Sequence, residues 1–322
     1  MRSETVWLVS PVYFDVESYV RLRDNARAAL VAVGVEPKFV AVDDTAGADP
    51  AVRSLEALPD QRVITPPFNL GHQRGLVFGL RQLSAEIDER DVVVTLDADG
   101  EDQPEDLPRL LAPLREPTAS LRSVAVAART RRRETLPFKV LYFFFKNFFR
   151  LLTGTLIQSG NFAAYRGWLT RNVLFHPHFD LAYSSSLLSL GLNIHRVPCE
   201  RGRRYAGMSK MTYVKLIQHG LRMLMPFADR IATRWLVIFS TLGGLGLVGA
   251  LALLALKLFG QVDSPGWAFY AFCTGTLLCA VAAVCMVILF ALFVQNQSLS
   301  LAQLDASSRD GEIARARAAS AR

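Results

Sequence analysis

The stretch at residues 92–105, VVVTLDADGEDQPE, decides the fold of this chain. It begins with a run of apolar β-formers, which predicts a short buried strand, and it continues into two carboxylates, Asp97 and Asp99. A strand that stops at Asp-x-Asp holds both side chains at one rigid edge, where they can bind a divalent cation and, through it, a diphosphate. Because many surface turns also contain Asp-x-Asp, its meaning depends on the rest of the chain.

Apolar runs that alternate with helix-like stretches predict an α/β domain with a mostly parallel sheet covered on both faces. We expect helices at about residues 16–33 and 73–85. The expected strands lie at residues 5–10, 39–42, 61–65, 92–96 and 124–128. In such sheets ligands bind beyond the carboxyl ends of the strands. Asp43, Asp44, Asp97 and Asp99 all follow strand ends and are therefore expected to be spatial neighbours.

The C-terminal third of the chain has the composition of a membrane hairpin. The chain of 322 residues is 51% hydrophobic with a mean hydropathy of +0.23, and the excess lies after Arg234. Residues 235–259 contain one charge, Lys257, and residues 267–294 contain none. Each run exceeds the roughly 20 residues that cross a hydrocarbon core of about 30 Å. Two spans are therefore predicted, and a buried soluble hairpin is the weaker alternative.

Basic residues outside the two spans predict their orientation. Arginines precede the first span and follow the second, which places the α/β domain and the C-terminal tail in the cytoplasm. The tail is rich in Ala, Ser and Arg, so we predict that it is disordered. The short apolar stretch at the N-terminus does not resemble a signal peptide. The four cysteines show neither a disulfide framework nor zinc spacing.

A net charge of +7 and a pI near 9.4 predict an anionic partner. No nucleic-acid motif is found, so membrane lipid and phosphate are favoured over nucleic acid. Residues 136–152 are intensely aromatic yet carry Lys139, Lys146 and Arg150, which is typical of an amphipathic helix in the bilayer interface. A long buried helix is the alternative. Residues 213–228 are a second candidate interfacial helix.

Two short motifs near the predicted strand ends each allow two interpretations. Asp43 and Asp44 can accept hydrogen bonds from a nucleobase or ribose, or they can cap the next turn. The loop NLGHQRG at residues 69–75 precedes an apolar helix, and its glycines would let a nucleotide approach the backbone. Such loops are also common as plain structure. For His72 a structural or hydrogen-bonding role is favoured over catalysis.

An ordered set of motifs resembles the family 2 glycosyltransferases of the GT-A fold. Within this family the chain is most similar to the polyprenyl-phosphate glycosyltransferases, the group that contains dolichyl-phosphate mannose synthase and its bacterial glucosyl relatives. The resemblance covers roughly residues 5–225, and the C-terminal hairpin is similar to that of the bacterial members. The motifs are SPVY at residues 10–13, VDD at 42–44, NLG at 69–71, LDADGEDQPE at 96–105, SGNF at 159–162 and RYAGMSK at 204–210.

This resemblance implies a set of donor, metal and catalytic residues. Asp43 would hold the base or ribose, Asp97 would face the nucleotide-sugar, and Asp99 would bind Mg²⁺ or Mn²⁺. Glu101 stands where the family often has a glutamine that ligates the metal. We expect it to be a metal ligand whose additional negative charge strengthens the binding of a hard cation. The implied donor-binding residues are Pro11, Tyr13, Asp43, Asp44, Asn69, Gly71, Gln73 and Asp97. The implied catalytic residues are Asp97, Asp99 and Arg129.

The resemblance also implies an acceptor side that binds a lipid phosphate. Arg129 occupies a Ser-Arg-like position of the family, and guanidinium groups suit bidentate phosphate binding. Arg131, Arg132 and Arg133 follow it, although most of this run can instead be a solvated or head-group-facing patch. Some bacterial relatives have an aspartate at the position of Asn161. Because asparagine cannot act as a base, any base role at this position is lost here. The implied acceptor-phosphate residues are Arg129, Arg131, Arg133, Arg204, Ser209 and Lys210.

The sequence thus predicts a metal-dependent, inverting transfer of a sugar from a nucleotide diphosphate to polyprenyl (undecaprenyl) phosphate at the inner membrane. The expected divisions are a nucleotide-sugar half at residues 1–135, an acceptor half at 136–232, two spans within 233–296 and a tail at 297–322. The alternatives are another lipid or polysaccharide acceptor, or a non-catalytic membrane scaffold of the same fold. Whether the chain forms a homo-oligomer is left open.

Overall fold

The structure is a computed structural model that describes residues 4–129, 136–157, 159–206, 213–261 and 266–320. At residues 136–142, 159, 213–215 and 296–320 it describes the backbone alone. The chain divides into two compact units, Met1–Pro226 and Phe227–Arg322. The strands are β1 (Val6–Val12), β2 (Pro37–Asp43), β3 (Gln61–Ile64), β4 (Val92–Thr95), β5 (Ser123–Arg129), β6 (Ser159–Arg166) and β7 (Asn193–Cys199).

The helices of the first unit flank these strands, and two longer helices form the second unit. The α-helices of the first unit are α1 (Val16–Val31), α2 (His72–Leu83), α3 (Leu107–Arg115), α4 (Leu136–Thr153), α5 (Gly167–Asn172), α6 (His178–Leu181), α7 (Tyr183–Ser189) and α8 (Tyr213–Leu224). Short 3-10 helices span Pro50–Ala57, Pro104–Asp106 and Met225–Phe227. The second unit contains α9 (Ala228–Leu258) and α10 (Gly266–Ser320).

All seven described strands belong to one mostly parallel sheet with the order β3-β2-β1-β4-β6-β5-β7. Strand β6 runs antiparallel to its neighbours β4 and β5, and the other pairs are parallel. Apolar side chains of β1 alternate between two core clusters, since Trp7 and Val9 face one and Val6 and Leu8 face the other. The sheet is therefore buried on both faces, as the continuous apolar runs predicted. The predicted fold class is confirmed.

Helices α4 and α8 pack together and leave apolar side chains exposed. A Cβ atom at Gly220 of α8 would lie 2.9 Å from the ring of Phe145 on α4, so the two helices are in close contact. Phe149 of α4 is fully buried, whereas the opposite side of the same helix is apolar and exposed. The exposed apolar residues of the two helices are Phe143, Phe144, Phe148, Leu151, Ile217 and Leu221. Helix α8 ends at Leu224, so the predicted stretch at residues 213–228 includes a 3-10 turn and the start of α9.

Two helical segments are long and apolar enough to cross a membrane by length and composition, Leu216–Leu258 and Gly266–Gln295. Within the second unit, α9 and α10 pack through glycines. A Cβ atom at Gly246 would lie 2.6 Å from Thr276 Oγ1, and one at Gly243 would lie 3.2 Å from Cys279 Cβ. Helix α10 continues to Ser320, although we expected disorder from residue 297. The high helix propensity of Ala, Leu and Arg favours this helical backbone, and the disorder stays a prediction.

Candidate active site

Acidic residues meet at the carboxyl ends of the central strands. Strand β1 pairs with β2 up to Val12 and Asp43, and the Asp44 amide donates to the carbonyl oxygen of Val12 at 2.9 Å. On the other side of β1, the Leu96 amide donates to the carbonyl oxygen of Val9 at 3.3 Å. The acidic residues after β2 and β4 therefore lie at one edge of the sheet, as the sequence predicted.

Asp43 caps the turn that follows β2. Its Oδ1 accepts hydrogen bonds from the Thr45 amide at 3.0 Å and from Thr45 Oγ1 at 2.5 Å. Its Oδ2 accepts from the Gly47 amide at 2.8 Å. Both carboxylate oxygens are thus engaged locally and the side chain is buried. The structure shows the turn-capping contacts, and a donor-binding role for Asp43 stays a prediction.

Asp44, in contrast, keeps a buried oxygen with unused hydrogen-bonding capacity. Its Oδ1 is buried and has no hydrogen-bond partner among the described residues. Burial raises the pKa of this carboxyl to about 6. The loop before α2 packs against Asp44, since Asn69 Nδ2 donates to its carbonyl oxygen at 2.6 Å. The first turn of α2 packs there too, since a Cβ at Gly75 would lie 3.1 Å from Asp44 Oδ1. A ligand that donates a hydrogen bond, such as a ribose hydroxyl or a base N–H, would satisfy this oxygen.

The loop at residues 69–75 carries the turn that starts α2. Asn69 Oδ1 accepts from the Gly71 amide at 3.0 Å, and Gly71 has a φ of +78°, a conformation that favours glycine. Helix α2 then begins at His72. Its first-turn N–H groups suit an anion such as a diphosphate.

Asp97 is the centre of a hydrogen-bond network that joins four segments of the chain. Its Oδ1 contacts His72 Nε2 at 2.8 Å and accepts from Asn161 Nδ2 at 3.1 Å. Gln73 Nε2 donates to Asn161 Oδ1 at 3.1 Å, and Gln73 Oε1 accepts from the Tyr183 amide at 3.0 Å. Gln73 thus fixes the orientation of the Asn161 amide, so that its NH₂ group points at Asp97.

The charges in this network reinforce one another. Burial alone would raise the pKa of Asp97, but the neighbouring His72, Arg129 and Asn161 lower it below its ordinary value. The His72 side chain is 42% exposed. Partial desolvation in the site opposes its protonation, yet the charge of Asp97 raises the pKa above its ordinary value. Asp97 is therefore ionised at neutral pH. A hydrogen-bonding role for His72 was favoured from the sequence, and the contact with Asp97 is of this kind.

Asp99 and Glu101, the predicted metal ligands, face arginines of a distant segment. Arg204 Nη2 lies 2.7 Å from Asp99 Oδ2, and Arg204 Nε lies 3.4 Å from Glu101 Oε1. Arg201 Nη2 pairs with the other oxygen of Glu101. Burial and the charge of Asp97 raise the pKa of Asp99.

Arg129, the predicted acceptor-phosphate residue, is paired with a carboxylate that sequence reasoning did not single out. Its Nη2 donates to Asp102 Oδ1 at 3.3 Å, while Asp102 Oδ2 accepts from the Asp97 amide at 3.1 Å. Asp102 is buried, and burial together with the charge of Asp97 raises its pKa. Arg201 also went unnoticed, because its contact with Glu101 joins residues about a hundred positions apart.

Pro11 and Tyr13 lie at the end of β1, beside the acidic residues. Pro11 is buried within the strand, whereas the Tyr13 side chain is 42% exposed and meets the Phe14 ring edge to face at 5.0 Å between centroids. Phe14 has a φ of +48°, which is unusual for a residue other than glycine. The remaining predicted acceptor residues, Arg131, Arg133, Ser209 and Lys210, lie outside the described residues, as does Arg132.

The donor set suits a hard divalent cation that is shared with a substrate. Asp99 and Glu101 converge on one guanidinium, so their oxygens are close enough to face a single charge. Within the part of the chain that the structure describes, no three His, Cys, Asp or Glu side chains are arranged as a complete metal centre. Mg²⁺ is commonly bound by only one or two carboxylates together with substrate phosphates and water, so the residues present fit such an ion.

Comparisons with known proteins agree with the motifs. Residues 35–172 match the family described as glycosyl transferase family 2, and this region contains both acidic pairs, the loop before α2 and Asn161. The chain is 27% identical over 267 residues to the undecaprenyl-phosphate 4-deoxy-4-formamido-L-arabinose transferase of Pectobacterium carotovorum subsp. carotovorum (strain PC1). That alignment covers 80% of this chain and 77% of the relative. The resemblance predicted from the sequence is confirmed.

Solved structures give weaker likenesses. Mannosyl-3-phosphoglycerate synthase from Rubrobacter xylanophilus has a TM-score of 0.48 at 12% identity, over 71% of this chain and 74% of that protein. Glucosyl-3-phosphoglycerate synthase from Mycobacterium tuberculosis, in complex with Mn²⁺ and uridine-diphosphate-glucose, has a TM-score of 0.45 at 14% identity, over 71% and 79%. At these scores the ligands and activities of the two proteins carry no argument for this chain.

Proposed function

We propose that this chain, whose residues 35–172 match the family described as glycosyl transferase family 2, transfers a sugar from a nucleotide-diphosphate sugar to polyprenyl phosphate at a membrane. The observation that carries this proposal is the edge of the sheet where partly buried carboxylates and guanidinium groups meet. Asp97 and Asp99 lie there together with Arg129 and Arg204. Such a site has groups for a cation-bound diphosphate and groups for a phosphate acceptor side by side.

The donor is proposed to bind across the ends of β1, β2 and α2. The unsatisfied oxygen of Asp44 would accept a hydrogen bond from the nucleoside, and the exposed ring of Tyr13 would contact it from the end of β1. The diphosphate would lie against the first turn of α2. Asp99 and Glu101 would hold Mg²⁺ or Mn²⁺, which when bound neutralises the leaving diphosphate.

The acceptor needs positioning more than deprotonation. A phosphate monoester has a second pKa near 6 and is largely dianionic at neutral pH, so no general base is required to make it a nucleophile. Asn161 cannot serve as a base, and its amide instead holds Asp97. Arg129 and Arg204 would direct the acceptor phosphate to the anomeric carbon. An in-line attack by this phosphate would invert the anomeric centre, and determination of the product's anomeric configuration tests this step.

The second substrate is proposed to be a lipid because the first unit has an exposed apolar surface next to its basic residues. Phe143, Phe144 and Phe148 are more than half exposed on α4, a helix that also carries Arg150. Apolar rings with nearby cations suit the interface of a bilayer that contains anionic lipids. The relative from Pectobacterium is named for an undecaprenyl-phosphate acceptor, and we extend that acceptor class to this chain.

We further propose that the protein resides in the inner membrane. The apolar helical segments Leu216–Leu258 and Gly266–Gln295 would contain the two spans, the first of them after Arg234. Arg222, Arg230 and Arg234 before the first span, and the arginines after the second, would keep the family 2 domain and the C-terminal tail in the cytoplasm.

A donor screen with the purified full chain tests the proposal. Radiolabelled nucleotide-sugars are incubated with undecaprenyl phosphate, Mn²⁺ and the protein in detergent, and the labelled lipid is extracted. Asp99→Ala should lower transfer by about 10²–10³, as expected for the loss of a preorganised charged group. Asp24→Ala, at a carboxylate on α1 that is 61% exposed, is the matched control and should retain transfer. Full activity of Asp99→Ala would overturn the metal assignment.

Other outcomes separate the alternatives. Transfer to a diacylglycerol or to a growing polysaccharide, with none to undecaprenyl phosphate, would overturn the acceptor. A folded chain that binds no nucleotide diphosphate, with or without Mn²⁺, would indicate a scaffold rather than an enzyme.

A further inference from the structure

The segment at residues 201–205 is docked against the loop that carries Asp99 and Glu101. The Gly202 amide donates to the carbonyl oxygen of Glu101 at 2.9 Å, and the Tyr205 amide donates to that of Asp99, also at 2.9 Å. Asp102 and Arg201 form an antiparallel bridge. These backbone contacts place the arginines of one segment beside the carboxylates of the other.

Tyr205 fixes this docking from the side of α1. Its hydroxyl accepts from Asn25 Nδ2 at 3.1 Å, and the Arg21 guanidinium lies 4.5 Å from the centre of its ring. The ring covers Gly100, where a Cβ atom would lie 2.6 Å from it and where φ is +83°. Any larger residue at position 100 would push the two segments apart. Arg201 and Arg204 therefore belong to a backbone segment that is fixed against the loop of Asp99 and Glu101 by hydrogen bonds and by the Tyr205 ring.

Arg201 and Arg204 occupy the oxygens that a cation would need. Arg204 contacts Asp99 Oδ2 at 2.7 Å and Glu101 Oε1 at 3.4 Å, and Arg201 pairs with the other oxygen of Glu101. The four side chains are between 13% and 29% exposed, so water screens these ion pairs only partly. A guanidinium and a divalent cation that share the same oxygens would repel each other strongly at this distance.

We propose, on the basis of the proposed function, that Arg201 and Arg204 hold Asp99 and Glu101 in the absence of a donor, and that binding of the cation releases Arg204 to the acceptor phosphate. In this arrangement the guanidinium groups keep two neighbouring carboxylates from repelling each other until the cation replaces them. Arg204 can then contact the dianionic phosphate, to which a guanidinium binds in a bidentate manner. The two arginines thus act as positioning residues that hold the carboxylates of the cation site. The donor and its cation would bind before the acceptor does.

The exchange has a thermodynamic consequence that can be measured. When one group competes with a cation for the same ligands, its removal tightens cation binding. Linkage further requires reciprocity between the two ligands. If the cation raises the affinity for an acceptor phosphate that binds Arg204, the phosphate must raise the affinity for the cation by the same factor.

The test is a titration of Mn²⁺ into the donor-free full chain in nanodiscs, with free Mn²⁺ measured by electron paramagnetic resonance. Arg204→Gln is expected to bind Mn²⁺ at least about fivefold more tightly, the lower end of typical coupling between sites, and Arg201→Gln should change affinity in the same direction. The matched control is Arg203→Gln, which removes the same charge from the same segment. Arg203 is exposed and has no ion pair within the part of the chain that the structure describes.

An affinity of Arg204→Gln equal to or weaker than that of Arg203→Gln would overturn the inference, because the arginine would then be supporting the carboxylates for the cation rather than competing with it. The unmodified chain gives a second measurement that does not depend on the folding of a variant. Farnesyl phosphate should tighten Mn²⁺ binding to the wild-type chain, after correction for direct chelation in a protein-free titration. No change in affinity would also overturn the inference.

These measurements are separate from the transfer assay above. A wild-type chain that transfers sugar to undecaprenyl phosphate, while Arg204→Gln shows no gain in Mn²⁺ affinity, would reject the exchange alone. A gain in Mn²⁺ affinity in a chain that transfers no sugar would reject the proposed function and keep the competition between arginine and cation.

Discussion

Asn161→Asp is the most informative single change in the network around Asp97. The substitution preserves the shape of the side chain and replaces the NH₂ group, which donates to Asp97 Oδ1 at 3.1 Å, with an oxygen. The other oxygen can still accept the hydrogen bond from Gln73 that the structure shows. Two carboxyl groups this close cannot both ionise at low cost. One of them has to keep a proton, and that proton can replace the lost N–H donor.

The size of the effect follows from the distance. With an effective dielectric constant of about 20, two unit charges 3.1 Å apart repel by about 5 kcal/mol, an upper value that raises one pKa by roughly four pH units. An unfolded aspartate titrates near pH 3.9, so the folded pair would lose its last proton above that value and at the latest by about pH 8. Between these values the unfolded chain has lost the proton and the folded chain has kept it. The free energy of unfolding should therefore fall by about 1.4 kcal/mol per pH unit relative to the wild type.

The assay is thermal unfolding of the full chain in detergent at pH 6, 7, 8 and 9, with sugar transfer measured at each pH. We expect the gap in Tm between Asn161→Asp and wild type to widen with pH. We also expect transfer to be near normal at pH 6 and to decline above pH 8, when the introduced carboxylate would repel Asp97. Asn161→Ala, which removes the donor without adding a charge, should show a gap that does not depend on pH. A constant gap for Asn161→Asp would refute the contact between these two side chains.

Two further predictions concern the membrane helices and His72. Gly246→Ala should destabilise the packing of α9 on α10 by about 1–3 kcal/mol through overpacking against Thr276. Gly244→Ala, where the added Cβ would meet open space on the same helix, should not destabilise it. Tryptophan fluorescence during thermal unfolding gives the Tm of each variant, and equal Tm values would contradict the packing. His72→Gln should remove a pH-dependent contribution to stability. Because the pKa of His72 is raised, its pairing with Asp97 stabilises the fold fully below about pH 6.5, and the stabilisation is lost as the pH rises through the raised pKa. The stability difference between wild type and variant should therefore shrink from pH 6 to pH 9. A difference that is constant across this range would argue against the ion pair.

The sequence predicted the strands of the parallel part of the sheet because these strands are buried on both faces. β1, β2, β4 and β5 each contain an apolar run that ends close to where the strand ends. It did not predict β6 or β7. β6 has the sequence SGNFAAYR, in which small residues give little β-strand signal, and β7 is an edge strand whose residues are mostly exposed or half-buried.

The sequence predicted which candidate residues lie close together where these residues follow the ends of parallel strands. It did not predict neighbours that are brought together by contacts between distant segments. The neighbourhood of Asp44 and Asp97 follows from the order of parallel strands alone. The partners of Glu101 do not, because Arg201 reaches it only after β7 pairs with β5 and brings residues 201–205 beside the loop. Asp102 was missed for a related reason, since its role depends on its burial under Arg129.

The balance of charge at this edge bears on the order in which ligands bind. Among the described residues this edge contains six carboxyl groups, at Asp43, Asp44, Asp97, Asp99, Glu101 and Asp102, against the guanidinium groups of Arg129, Arg201 and Arg204 and a His72 whose pKa is raised. A nucleotide diphosphate adds further negative charge to a site that already has a surplus of carboxyl groups. Its binding without a cation would therefore work against electrostatic repulsion at short range. We expect measurable affinity for a nucleotide diphosphate only when a divalent cation enters with it, and chelation should abolish that affinity even though every donor-contacting residue of the protein is unchanged.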